Sequence, residues 1–166
     1  MPLRFTLDDA NRAFDEWGAN CGPCSIAAVL GLTLDDLRPQ MGDFESKHYT
    51  NPTLMWDVLK RCGVCFSLTK PPREWPDYGL ARVQWEGPWT APGVPARVAY
   101  RHTHWVGARA KNPLNVDIFD INAMNSGGWV GVADWAGHIV PWIIEHCVAK
   151  GATGRWHLTH VVEIWA

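Results

Sequence analysis

The segment Asn20-Cys21-Gly22-Pro23-Cys24-Ser25 runs directly into the apolar stretch Ile26-Ala27-Ala28-Val29-Leu30, which puts the Cys21 thiol at the expected start of a helix. Pro23 suits the first helical turn, where a missing N–H costs nothing. Gly22 lets the chain turn closely around the sulfur. Ile26, Val29 and Leu30 share one face that can anchor the helix in a core. At a helix start, unpaired N–H groups and the positive end of the dipole favour the thiolate, the nucleophilic form of cysteine. Partners for such a nucleophile lie downstream. His104 sits in Thr103-His104-Trp105-Val106-Gly107-Ala108, which reads as a strand, and Asp120 closes the next strand-like run, Val116-Asp117-Ile118-Phe119-Asp120. The turn Lys111-Asn112-Pro113-Leu114-Asn115 would make these two antiparallel neighbours, bringing a histidine beside an acid. Cysteine, histidine and acid in that chain order form a nucleophile, base and orienter. His102 shares His104's strand face and is an alternative base; Asp117 and Asn122 are alternative orienters.

The Cys-Gly-Pro-helix segment resembles the papain-like cysteine peptidase superfamily, as does the His ahead of small apolar residues with an Asp about one strand later. Within that superfamily the pattern looks like the double-glycine leader peptidases of bacteriocin exporters and their stand-alone relatives. The resemblance runs in outline from Asn20 to Asn122. It implies a papain-like fold with Cys21 as nucleophile, His104 as base and Asp120 as orienter. One departure stands out. Family members carry a glutamine shortly before the nucleophile, whose amide helps to bind the oxyanion. Here that region reads Phe14-Asp15-Glu16-Trp17-Gly18-Ala19, and the only glutamines are Gln40 and Gln84. Asn20 is the nearest amide, with Asn11 further back, so Asn20 is the candidate substitute donor. Loss of one oxyanion donor costs about 10²–10³ in rate. A slow enzyme, a rearranged oxyanion hole and an inactive relative all follow from that departure.

The elements that must position these residues read as helices first and an antiparallel sheet second, an α+β layout of N-terminal helices on a C-terminal sheet. After the cysteine helix ends near Gly31, Thr33-Leu34-Asp35-Asp36 has capping-box character and starts a short helix that Pro39 stops. Asn51-Pro52-Thr53 opens another, with Met55, Val58, Leu59 and Cys62 on its apolar face and Gly63 at its end. Val64 to Leu68 then reads as a strand, followed by a loop through Pro71, Pro72 and Pro76. Further strands are expected at 83–85, 96–101, 103–109 and 115–120, with a short piece at 127–130. Residues 133–150 read as a helix that Pro141 kinks or splits, and 155–165 as a closing strand.

Composition bounds the alternatives. One domain spanning residues 1–166 is expected from length, and 47% apolar with 19% charged residues is globular. A net charge of −2 without a Lys/Arg cluster argues against nucleic acid as a partner. No apolar stretch approaches the ~20 residues of a membrane span, and Met1 to Asp9 carries no signal core, so no membrane and a cytoplasmic setting are expected, with export by another route left open. Five cysteines, an odd count, fit a reducing compartment.

Two rival readings of the cysteines compete. Cys21-Gly22-Pro23-Cys24 has the letters of a thioredoxin dithiol, but the polar, acidic residues 8–16 offer no strand ahead of it. Cys62-Gly63-Val64-Cys65 is a second such pair, so four thiolates could make a tetrahedral zinc site, although the gap between the pairs exceeds ribbon spacing. Small buried hydrophobes is the plain account of Cys24, Cys62, Cys65 and Cys147. Eleven tryptophans are read chiefly as core, with Trp105 and Trp129 as candidate walls of the cleft and Gly127-Gly128 as its rim. The function expected is hydrolysis of a peptide, isopeptide or related amide bond in a peptide or protein substrate, with no metal or organic cofactor needed. The alternative is a catalytically silent domain that holds a partner peptide in a Trp-rich cleft. Oligomeric state stays open.

Overall fold

The computed structural model describes residues 2–69, 74–112, 115–148 and 150–165. Pro71 and Pro72 of the proline-rich loop, the turn residues Pro113 and Leu114, and Met1 and Ala149 lie outside the described residues. Thr6 opens helix α1 (Leu7–Trp17) with a capping box. Its hydroxyl accepts from the Asp9 N–H, and the Asp9 carboxylate accepts from the Thr6 N–H. Ala10, Ala13 and Trp17 are the buried stripe of this otherwise polar helix. The cysteine helix is α2 (Cys21–Leu30), and Gly31 closes it in the left-handed conformation. Thr33 and Asp36 form the expected capping box of α3 (Leu34–Leu37), and Pro39 falls within a 3₁₀ turn rather than beyond a clean stop. α4 (Phe44–Lys47) and α5 (Pro52–Arg61) complete this layer, the latter capped by Asn51, whose side-chain oxygen accepts from the Leu54 N–H at 2.8 Å.

The strands are β1 (Cys65–Thr69), β2 (Tyr78–Trp85), β3 (Thr103–Asn112), β4 (Asn115–Phe119), β5 (Trp129–Gly131) and β6 (Trp156–Trp165). They form one antiparallel sheet in the order β1-β6-β2-β3-β4-β5. The architecture is therefore α+β, as expected. The strand expected at 96–101 is instead a turn of helix, α6 (Ala96–Ala99), where the Ala99 N–H donates to the Pro95 carbonyl and the Tyr100 N–H to Ala96. β2 already has β6 and β3 as neighbours, so no edge is vacant there, and the backbone satisfies itself locally. Residues 132–147 do split around Pro141. α7 (Val132–Asp134) passes into a π turn over 135–139, in which the Val140 N–H reaches back to Trp135, before α8 (Val140–Cys147) resumes. Pro141 has no N–H to contribute and sits in the first turn of α8, where none is needed.

The sheet is buried on both faces. Leu80, Trp105, Phe119 and Val162 pack with the N-terminal helices on one face. Ala81, Val83, Val106 and Ile118 pack with Trp89, Trp135, Val140 and Ile143 on the other. Among the described residues no helix is long and apolar enough to cross a membrane.

Candidate active site

α2 lies directly against β3. The Ser25 hydroxyl donates to the Trp105 carbonyl at 3.0 Å, and Gly107 makes the close approach possible, since a Cβ there would stand 2.9 Å from Val29 Cγ2. Gly22 does the same at the helix start, where a Cβ would stand 2.3 Å from the Thr50 hydroxyl. These contacts set the N-terminus of α2, and with it Cys21, beside the beginning of β3.

β3 and β4 pair with Ala108 opposite Ile118 and Gly107 opposite Phe119. Continued by one residue, that register puts Asp120 on the same face as Val106 and His104, one diagonal step from the histidine. Asp120 is fully buried, and every acceptor position on it is claimed. Oδ1 accepts from the backbone N–H and the side-chain amide of Asn122, both at 2.9 Å. Oδ2 accepts from the Trp135 indole at 2.7 Å and stands 3.0 Å from His104 Nε2. The His104 ring N–H is not aligned on that oxygen, so the contact is a close ion pair without full hydrogen-bond geometry. With Nε2 turned to the acid, Nδ1 is the ring nitrogen left for the Cys21 thiol, which lies close enough for His104 to act on its ionisation.

The electrostatics follow from this packing. Burial pushes the Cys21 thiol up, but the hydrogen bond and charge of His104 and the Trp105 backbone N–H outweigh it and hold the thiol below its ordinary value. Burial opposes protonation of His104, yet the charge and contact of Asp120, with Cys21 behind them, raise it well above an ordinary imidazole. Burial also disfavours the Asp120 carboxylate, and His104, Trp135 and Asn122 together lower it regardless. All three directions favour a thiolate–imidazolium pair braced by a buried carboxylate.

The alternatives are engaged with other partners, although His102 and Asn122 line the same hollow as Cys21. His102 Nε2 accepts from the Arg101 Nε at 2.8 Å, and its ring packs on Trp89 at 4.4 Å. Burial, followed by the charge of Arg101, lowers its pKa. Asp117 pairs with Arg109 and Lys111 at 3.0 and 3.2 Å, and Asn122 holds Asp120 rather than the histidine. Asn20 borders the cleft, but its amide donates to the Ala10 carbonyl at 2.9 Å, tying α2 to α1 and leaving one N–H over. Asp15 is exposed and does not line the cleft. Gln84 is buried in β2, where its amide donates to the carbonyls of Trp85 and His102.

Cys21 borders two hollows. One of about 250 Å³ is lined by His104, Trp85, Asn122, Ile143 and Cys147. The other, of about 590 Å³, is lined by Gly22, Thr50, Arg82, Tyr100 and Trp105. Trp85, stacked on His104 with centroids 6.4 Å apart, is the wall beside the histidine. Trp105 points to the opposite face and donates to the Thr50 carbonyl at 3.0 Å, while Trp129 packs on Phe119 and under the Arg109 guanidinium. Among the described residues no group of three or more His, Cys, Asp or Glu side chains is placed to hold a metal, and all five cysteines are free thiols. Sequence reasoning missed Trp135 as a partner of Asp120. It missed Arg82 too, although a charge inside the apolar run Leu80-Ala81-Arg82-Val83 was a visible signal. Compared with known proteins, the chain matches no family model, and no curated protein matches it.

Proposed function

We propose that this chain is a papain-like cysteine hydrolase that cleaves an amide bond in a peptide or protein. The observation that supports the reading best is the convergence of His104 and a fully buried, fully hydrogen-bonded Asp120 on Cys21, which borders two hollows. In this mechanism the Cys21 thiolate attacks the substrate carbonyl carbon. The N–H groups of Cys21 and Gly22, which have no partner within the first turn of α2, face the developing oxyanion. His104 gives its proton to the leaving amine as the C–N bond breaks, leaving a thioester. A water then yields a proton to His104, attacks the thioester and releases the acid, while the Cys21 thiolate leaves and the imidazolium is restored. Asp120 holds the ring throughout and favours its charged form.

The test is the pH-dependence of Cys21 alkylation by iodoacetamide, resolved by peptide mapping, in the native chain and in His104→Ala. Cys21 is expected to react rapidly at about pH 6, well below an ordinary thiol, and to slow by about 10²-fold without His104. A Cys21 no faster than exposed Cys65 at that pH would falsify the hydrolase mechanism. The hydrogen bond of the Asn20 amide to the Ala10 carbonyl, which draws one of its two N–H groups away from the oxyanion position, favours the second reading, a silent domain of the same fold. That reading gains if Cys21 is activated and yet no thioester forms with an activated acyl donor.

A further inference from the structure

β2 is buried along nearly its whole length, and Arg82 sits in its middle with only 8% of its surface exposed. Nη2 donates to the Thr103 hydroxyl at 3.0 Å, and the guanidinium lies 5.4 Å from the centre of the Tyr100 ring. The Nε N–H is buried and meets no acceptor. Among the described residues no Asp or Glu pairs with it, and the Cys21 thiolate is the anionic group that acts on it. A guanidinium has five donors, and burying that charge without a carboxylate is costly. Such a residue is retained most economically where a ligand completes it.

The surroundings of Arg82 point the same way. It lines the 590 Å³ hollow together with Cys21, Arg97 and Arg101, and no acidic residue contributes to that lining. Beyond Cys21 on the other side, the smaller hollow opens through Phe14, Asn20 and Asn122 toward a groove of about 550 Å³. That groove has Asn11, Asn20, Asn122, Asn125, Ser126 and His138 as its polar groups and, among the described residues, carries no Arg or Lys. Arg101 borders both hollows beside Cys21, whereas Arg82 and Arg97 line only the larger one, so the excess of guanidinium charge lies on that side of the nucleophile.

We infer that the hollow beside Arg82 is an anion subsite, in which the guanidinium receives a carboxylate carried by the substrate while Cys21 attacks the neighbouring amide. The inference rests on the cysteine-hydrolase reading. A planar, fixed cation suits a carboxylate through paired N–H donors, and Arg97 and Arg101 at the rim draw an anion inward. The carboxylate comes either from an acidic side chain next to the cleaved amide or from a free chain terminus.

The probe is a pair of alkylating reagents of similar size, anionic iodoacetate and neutral iodoacetamide, with rates read separately at Cys21 and at exposed Cys65. The iodoacetate-to-iodoacetamide ratio at Cys21 is expected to exceed that at Cys65 by about tenfold, a small part of an unscreened ion-pair interaction. Arg82→Met should bring the two ratios together, and Arg82→Lys should keep part of the difference. Equal ratios in the native chain would overturn the subsite. So would a preference that survives Arg82→Met, in a variant whose near-ultraviolet circular dichroism is unchanged. Equal slowing with both reagents in Arg82→Met would overturn it as well, assigning Arg82 to support of the thiolate alone. A Cys21 slow toward both reagents in the native chain sinks the hydrolase reading instead, which keeps the two failures apart. Protection of Cys21 from iodoacetamide by acetyl-glutamate α-amide, but not by acetyl-alanine, would assign the acidic side chain. The reverse would assign the free terminus, and protection by neither would overturn the subsite.

Discussion

Two Cys-x-x-Cys segments occur in this chain, and their thiols meet opposite fates. Cys21 and Cys24 lie one turn apart on α2. Cys21 is drawn below its ordinary pKa, whereas Cys24, fully buried and close to Cys21, is driven far up by burial. Cys62 ends α5 and Cys65 begins edge strand β1. Burial raises Cys62, and Cys65 is exposed. Helix position does not explain the difference between Cys21 and Cys24, because both are in the first turns of the same helix. What separates them is which face of the helix meets β3. A thiol turned toward His104 has a cation to pair with; one turned into the aliphatic core has none. The motif's letters therefore carry little; His104 on the sheet lowers the thiol, and Asp120, whose own charge raises it, favours the thiolate only by favouring the protonated histidine.

The largest way to break this contrast, short of removing His104, is Asp120→Asn. The carboxylate accepts from three donors and pairs with His104, whereas an amide offers one oxygen and turns an NH₂ toward existing donors. A loss of about 1.5–3 kcal/mol in denaturant titration is expected, together with a 10- to 100-fold slower alkylation of Cys21 at about pH 6, one to two pKa units' worth of support. The pH-dependence of stability should change as well. Asp120 is depressed in the folded chain, so it contributes stability above the unfolded carboxyl value of about 3.9, lost as pH falls through its lower folded value. His104 is raised, so its contribution is complete below about 6.5 and is lost as pH rises through its folded value. Both limbs should flatten in Asp120→Asn. An unchanged Cys21 profile would mean that the acid serves packing alone.

The next effect in size comes from Trp135→Phe, which keeps a ring against Trp75 and Trp156 and removes only the indole donor to Asp120. About 1–2 kcal/mol of stability should go with it, and Cys21 should lose about three- to tenfold in reactivity at pH 6 as the carboxylate becomes easier to protonate. Trp135 also shows where the sequence stopped being legible. Cys21 announced itself because its signals are local: a glycine, a proline and an aliphatic helix within a few positions. Strand alternation narrowed the partners to one face but left His102 beside His104 and Asn122 beside Asp120, and the family resemblance chose between them. Trp135 owes its role to a π turn and to how the 132–147 helix crosses the sheet, neither of which a periodicity reveals. The segment 96–101 misled for a related reason. Its apolar residues suit a strand, but the sheet had no open edge beside β2 to receive one.

The smallest expected effect sharpens the contrast from the other side. Cys62→Ala combined with Cys65→Ser removes the second pair without touching α2, β3 or β4. Cys65 is exposed and Cys62 only partly buried, so stability should change by no more than about 1 kcal/mol. Cys21 should keep its alkylation profile unchanged, because neither Cys62 nor Cys65 is among the groups that act on Cys21, His104 or Asp120. A clear slowing of Cys21 in this double variant would mean that the two pairs act together. Thiol activation would then belong to the cysteines as a set, and the buried carboxylate behind His104 would lose its place as the cause.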